Sequence, residues 1–130
     1  MKKQTAKYVD GFVFTVPKKN VAMYKKMARE AAEVWKKFGA IDYKECKGEE
    51  LKTKASHGMP APLSFSKLTN VKPNETVWFS YITYKTKAHR NQVNKKVMDY
   101  FNKKYADKMG EPMPFDVRKM AYGGFSVEVD

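Results

Sequence analysis

The chain has 130 residues, enough for one domain, 1–130, that buries roughly two-thirds of its unfolded surface without help from disulfides or metal. With 42% apolar residues and 14% aromatics it is no disordered chain, and its one cysteine, Cys46, excludes both a disulfide framework and a Cys-based zinc site. The net charge of +12 invites a nucleic-acid or anionic-surface partner, but only Arg29, Arg90 and Arg118 are arginines, and bidentate phosphate and base-edge recognition favours the arginine fork; a nucleic-acid role is the weaker expectation.

The run from Met1 to Lys7 begins like a signal peptide, but Gly11 to Val16 is too short an apolar stretch to complete one, and Asp10 precedes it. No run approaches the ~18 apolar residues of a membrane span. The expectation is a cytoplasmic protein with no membrane partner. Tyr8 to Val16, rich in aromatic and β-branched residues and bounded by Pro17, reads as the first strand. Lys18 to Phe38 has helical period: Val21, Tyr24, Ala28, Ala31, Trp35 and Phe38 recur at steps of three and four, and Gly39 follows where a left-handed C-cap belongs.

Ala40 to Lys47 alternates. Ile41, Tyr43 and Glu45 point one way and Asp42, Lys44 and Cys46 the other, the pattern of a one-sided strand near a sheet edge. Gly48 to Pro62 is a long polar loop, and Leu63 to Val71 is expected to be a short extra strand, paired with the next through a turn at Lys72-Pro73-Asn74-Glu75. Thr76 to Tyr84 is a strong strand. Thr86 offers an N-cap hydroxyl to a second helix, Lys87 to about Tyr105, whose stripe is Val93, Val97, Met98, Phe101 and Tyr105. After a Gly- and Pro-bearing loop, Arg118 to Val129 ends the chain as a strand; its Gly123-Gly124 pair suggests a bulge or the close approach of a ligand or another backbone.

The order β-α-β, β-α-β makes an α+β fold: a ferredoxin-like βαββαβ domain, with an antiparallel sheet and both helices on one face. Its central strands are then the first and third, whose two faces both read apolar: Phe12, Phe14 and Val16 against Val9 and Val13, and Trp78 and Ile82 against Val77, Phe79 and Tyr81. Two helices cover one face only, so something must cover the other. A second copy, sheet to sheet, is the expected answer, with the alternative that the long loop folds back over the sheet.

Several strings carry a resemblance: Tyr8-Val9-Asp10-Gly11-Phe12-Val13, Pro17-Lys18-Lys19-Asn20, Gly39-Ala40 with Glu45-Cys46, Val77-Trp78-Phe79-Ser80-Tyr81, and the run from Met113-Pro114-Phe115-Asp116 through Arg118-Lys119-Met120 to Tyr122-Gly123-Gly124-Phe125. Together, from Lys7 to Asp130, they resemble the YbaA-like family of small bacterial proteins of unknown function. The resemblance implies a dimeric α/β-barrel. The wider superfamily spans cofactor-free oxygenases, haem-handling enzymes, lactone isomerases and stress proteins, and fold analogy does not choose among them.

Four residues are weak catalytic candidates. His89, in the first turn of the second helix, would be a base, with Arg90 beside it to hold an anion; the alternative is an exposed pair on a helix start. Glu45 would shuttle a proton if buried, while Cys46 would need a positive neighbour to be reactive and is otherwise a small apolar residue. Asp116 and Tyr122, with Arg118, follow the proline-bearing loop and line a cleft or simply pair across a turn. His57 and His89 have no metal-ligand spacing, so no metal is expected, nor any cofactor; haem on His89 has nothing specific behind it. Lys18, Lys25 and Lys36 align along the outer face of the first helix, either as a phosphate-tracking stripe or as a solvated face. These residues suggest a homodimer with a cleft for a small aromatic or acidic molecule and no assignable reaction; a non-catalytic stress or binding module is the alternative.

Overall fold

The structure, a computed structural model, describes residues 5–108 and 110–130. The signal-like start at Met1 to Gln4 lies outside the described residues. Four strands and three helices follow in the order β1 (Tyr8–Pro17), α1 (Val21–Lys37), β2 (Asp42–Lys47), α2 (Phe65–Thr69), β3 (Glu75–Tyr84), α3 (Lys87–Lys104) and β4 (Ala121–Ser126). The strands form one antiparallel sheet in the order β2-β3-β1-β4. The two strands with two apolar faces are the inner pair, and the one-sided β2 lies at an edge. No described helix is long and apolar enough to cross a membrane.

The pleat sorts the side chains. Phe12, Phe14 and Val16 of β1, Trp78, Ile82 and Tyr84 of β3, and Tyr43 of β2 face α1 and α3. One cluster joins Val34 of α1 to Val93 and Val97 of α3 over Ile82 and Tyr84; the other seats Tyr24 and Ala28 of α1 on Phe14, Val16 and Trp78. Burying each large side chain contributes roughly 1.5–3 kcal/mol, so these two clusters hold the helices to the sheet. Of the stripe expected on α3, Val93 and Val97 are buried but Met98 is exposed. On α1, Val34 is buried where the periodic stripe names Trp35, which is only half-buried and donates its indole N–H to Asn94 at 3.1 Å.

The helix starts and stops have visible causes. Pro17 ends β1, a 3-10 turn at Lys18–Asn20 takes the place of the expected first helical turn, and α1 begins at Val21. Gly39 closes the far end with a φ of 118°, a conformation side chains rarely adopt. Thr86 caps α3, its hydroxyl accepting from the His89 N–H at 3.0 Å.

The expected strand at Leu63 to Val71 is a short helix instead. Ser64 caps it by accepting from the Lys67 N–H at 3.1 Å, and Asn70, at φ 52°, ends it in the left-handed region. Capping chemistry outweighed a short apolar alternation that suits either state. This helix, α2, lies on the sheet face opposite α1 and α3, where Phe65 meets Phe79 with ring centroids 6.5 Å apart. The segment between β2 and β3 thus covers one end of that face. The element order accordingly carries one helix more than the two expected.

The last strand is shorter than the expected Arg118 to Val129, because Val117–Lys119 is a 3-10 turn capped by Asp116. The glycine pair makes no bulge: the β1–β4 register runs unbroken through Gly11↔Gly123 and Asp10↔Gly124. Its reason is close approach. A Cβ on Gly124 would overlap the Tyr8 hydroxyl, while Phe125 lies across Gly11 and Gly123 on the opposite face.

Candidate functional site

The structure gathers the candidate residues into two groups and leaves four outside both. The first group is closed. Asp10 is 1% exposed, and its Oδ1 accepts from Arg90 Nη1 at 3.0 Å. The same nitrogen donates to the Tyr122 hydroxyl at 2.8 Å, and Nη2 donates to the Tyr8 hydroxyl at 3.3 Å. The guanidinium carbon stands 4.9 Å from the Tyr8 ring centroid, and the Tyr84 hydroxyl donates to Asn94 close by. Burial raises the Asp10 carboxyl pKa; the Arg90 charge opposes it, then hydrogen bonding from Asn94, Tyr122 and Tyr84. Arg90 and Tyr122 are therefore brought together, around Asp10, a residue that belongs to no catalytic motif. A charge inside an otherwise apolar central strand is the signal that marks it.

The second group lines an open cleft. Tyr43 and Glu45 point from β2 under α1, and Glu45 sits beside Ser80 in the β2–β3 register. The Tyr24 hydroxyl donates to Glu45 Oε1 at 2.8 Å and the Tyr43 hydroxyl to Oε2 at 2.6 Å. Tyr24 is fixed by edge-on contacts with Phe14, Trp78 and Phe115, at 5.5, 5.0 and 5.6 Å. Burial raises the Glu45 pKa, and the hydrogen bonds of Tyr43, Tyr24 and Ser80 only partly offset it. Burial, then the Glu45 charge, hold both phenols protonated well above the ordinary tyrosine range. The cleft between α1 and β2 has a volume of about 330 Å³, near the lower end of small-ligand sites. Glu45, Tyr43 and Trp78 line it with Ala28 and Ala32, and Lys25, Arg29 and Lys47 bring positive charge to it; Lys44 lies at its edge, but its side chain turns with Cys46 to the other sheet face, where it meets Asp42.

A carboxyl whose pKa is raised in the folded state binds its proton more tightly there than in the unfolded chain. Its stabilising contribution is full below the unfolded value, near 4.5, and is lost as pH rises through the folded value. Wild-type stability is therefore expected to drop more from pH 5 to pH 8 than that of Glu45→Gln, measured as urea midpoints. His89 and Asp10 titrate in both proteins and cancel in the difference. Equal slopes would mean that Glu45 titrates normally.

Cys46, Asp116 and Arg118 join neither group. Cys46 is exposed on the opposite sheet face, beside Phe65 and Phe79. Asp116 accepts from the Arg118 N–H at 3.0 Å and Nε at 3.1 Å, and the Arg118 side chain is 91% exposed. This is the turn cap with its paired arginine. His89 spends its Nδ1 accepting from the Lys85 N–H at 3.0 Å, and Nε2 is turned toward Gly39. Burial, then the charges of Lys85 and Lys96, lower its pKa, so it is a neutral brace for the α3 start. Among the described residues no three His, Cys, Asp or Glu side chains are grouped to hold a metal.

Comparison with known proteins adds a family and no activity. A family model described as "Protein of unknown function (DUF1428)" matches residues 7–117. The chain is 37% identical over 124 residues to the uncharacterized protein YbaA of Escherichia coli K12, covering 95% of this chain and 98% of that protein, with the same figures for YbaA of Shigella flexneri. A crystal structure of a Bacillus cereus protein related to NIF3 aligns at 13% identity and a TM-score of 0.38, over 98% of this chain but 27% of the other.

Proposed function

The chain belongs to the DUF1428 family of proteins of unknown function, and from that premise we propose that it is a small-molecule-binding homodimer whose ligand occupies the cleft between α1 and β2. The observation that carries this reading is the Glu45 carboxylate at the cleft wall, held by two phenol hydroxyls under a ring of cations. A carboxylate has about four lone-pair positions, so two bonded tyrosines leave acceptor capacity toward a ligand. With its raised pKa, Glu45 is the group to exchange a proton with that ligand; the tyrosines orient it.

The architecture proposed is ferredoxin-like, with α2 inserted between its two βαβ halves; the strand order β2-β3-β1-β4 supports it. A second copy on the sheet face opposite α1 and α3 is supported by what that face leaves uncovered. Phe125 is 62% and Phe79 43% exposed there, beside Val9, Val13 and Tyr81, and α2 covers one end only. Sheet-to-sheet closure would bury this patch. The location proposed is the cytoplasm, whose reducing conditions suit a free, exposed Cys46.

Native mass spectrometry of the protein as purified from cells tests both parts. The expected result is a dimer carrying a discrete small-molecule increment, absent from Ala32→Trp, which fills the cleft, and a monomer for Phe125→Asp. An increment that survives Ala32→Trp would overturn the choice of cleft, and a wild-type monomer would overturn the dimer.

A further inference from the structure

The ring of charge around the α1–β2 cleft is unevenly compensated. Lys44 turns to the other sheet face and pairs there with Asp42 at 2.9 Å, while Lys25, Arg29 and Lys47 form no ion pair among the described residues. Three free cations thus share a cleft whose single acidic lining residue is Glu45. The walls between them are apolar: Trp78, Ala28, Ala32 and the Tyr43 ring. Lys25 and Arg29 project from the interior of α1, well past its start at Val21, so the helix amides that cradle phosphate groups do not face the cleft. An arginine fork over an apolar pocket suits a planar carboxylate better than a compact multivalent anion.

Resting on the cleft reading above, we propose that the ligand is a small aromatic or unsaturated monocarboxylate, seated on Arg29, and that it binds together with one proton taken up by Glu45. The proton follows from charge. The ligand carboxylate and Glu45 share one small cleft, and two carboxylates at close quarters do not both stay ionised. The other groups facing Glu45 cannot absorb the proton. Tyr24 from α1 and Tyr43 from β2 are neutral hydrogen-bond donors, and Ser80 and Trp78 from β3 do not titrate. The surrounding Lys25, Arg29 and Lys47 bring positive charge and no further carboxyl group. Once protonated, Glu45 becomes a donor, and its acid hydrogen is available to the ligand.

Titration calorimetry with benzoate and its neutral analogue benzamide tests this, run from pH 5.5 to pH 8 in buffers of different ionisation heat. Benzoate is expected to bind at least about tenfold tighter than benzamide, a gap of about 1.4 kcal/mol. It should weaken as pH rises and take up close to one proton per site. Arg29→Ala should remove the preference for benzoate, and Glu45→Gln should abolish both the proton uptake and the pH dependence while keeping the preference. Equal affinity for the two probes, inorganic phosphate competing as well as benzoate, or proton uptake unchanged in Glu45→Gln would each overturn the inference. Those results leave the cleft itself standing if the native-mass increment is still lost in Ala32→Trp. Loss of neither increment nor probe binding in Ala32→Trp removes the cleft reading and this one with it.

Discussion

Replacing Arg90 by alanine is expected to be among the most damaging single changes on the surface of this fold. Arg90 looks like a helix-start residue, but its guanidinium is the charge partner of an aspartate with 1% exposure. Removing it leaves Asp10 buried without its cation, and breaking such a pair costs about 3–5 kcal/mol. For a domain of this size the melting temperature should fall by about 10–20 °C. The loss should be smaller at pH 5 than at pH 8, because Asp10, already raised by burial, escapes its uncompensated charge by taking a proton. Asp10→Leu combined with Arg90→Met removes both charges and should recover most of the stability. If thermal melts show Arg90→Ala within 1 kcal/mol of wild type, the pair is solvated and the network is not a lock.

The second large effect is expected at Phe14→Ala. Phe14 is fully buried at the centre of the sheet, and truncating such a ring costs about 3–5 kcal/mol. It also withdraws the edge-on contact at 5.5 Å that fixes Tyr24, which in turn holds Glu45. Tyr24→Phe separates the two consequences: it keeps the ring and loses the hydrogen bond. Denaturant unfolding should show Phe14→Ala far less stable than Tyr24→Phe. Ligand affinity should fall in both, since each loosens one of the two phenol bonds that hold the carboxylate. If Phe14→Ala loses stability but binds normally, the aromatic cluster supports the fold without organising the cleft.

Much of the sheet could be read from the residues because its pattern is strong. Two-sided apolar strands marked β1 and β3 as central, and one-sided alternation placed β2 at an edge. The segment between β2 and β3 was not legible as a helix, since five residues hold too little periodicity to outweigh a strand reading and the deciding cap is one serine hydroxyl. For the site, alternation put Glu45 and Tyr43 on one face of β2 and Cys46 on the other without saying which face is inward, and nothing local says that Tyr24, on another element, would reach Glu45. Tyr24 reads as a core position of α1, which it also is: its ring is packed and only its hydroxyl is spent on the carboxylate. The Asp10–Arg90 pair was hidden by distance along the chain and by the habit of reading a first-turn arginine as solvated. Asp116 and Arg118 show the reverse, a charged pair inside a family-like string that is a turn cap.

The strand order also governs how the molecule is made. The central pairing joins Tyr8 to Tyr84 and Pro17 to Glu75, so no part of the middle of the sheet closes from neighbouring sequence. A chain emerging from the ribosome must carry β1 unpaired until β3 has been synthesised, with both apolar faces of β1 available to chance partners. Such distant closure places folding in the slower range, milliseconds to seconds. β4, the last of the four strands in chain order, pairs with β1 alone among the described strands. Completion of the sheet therefore waits until α3 and β4 have both been made, when the fourth strand docks against the first.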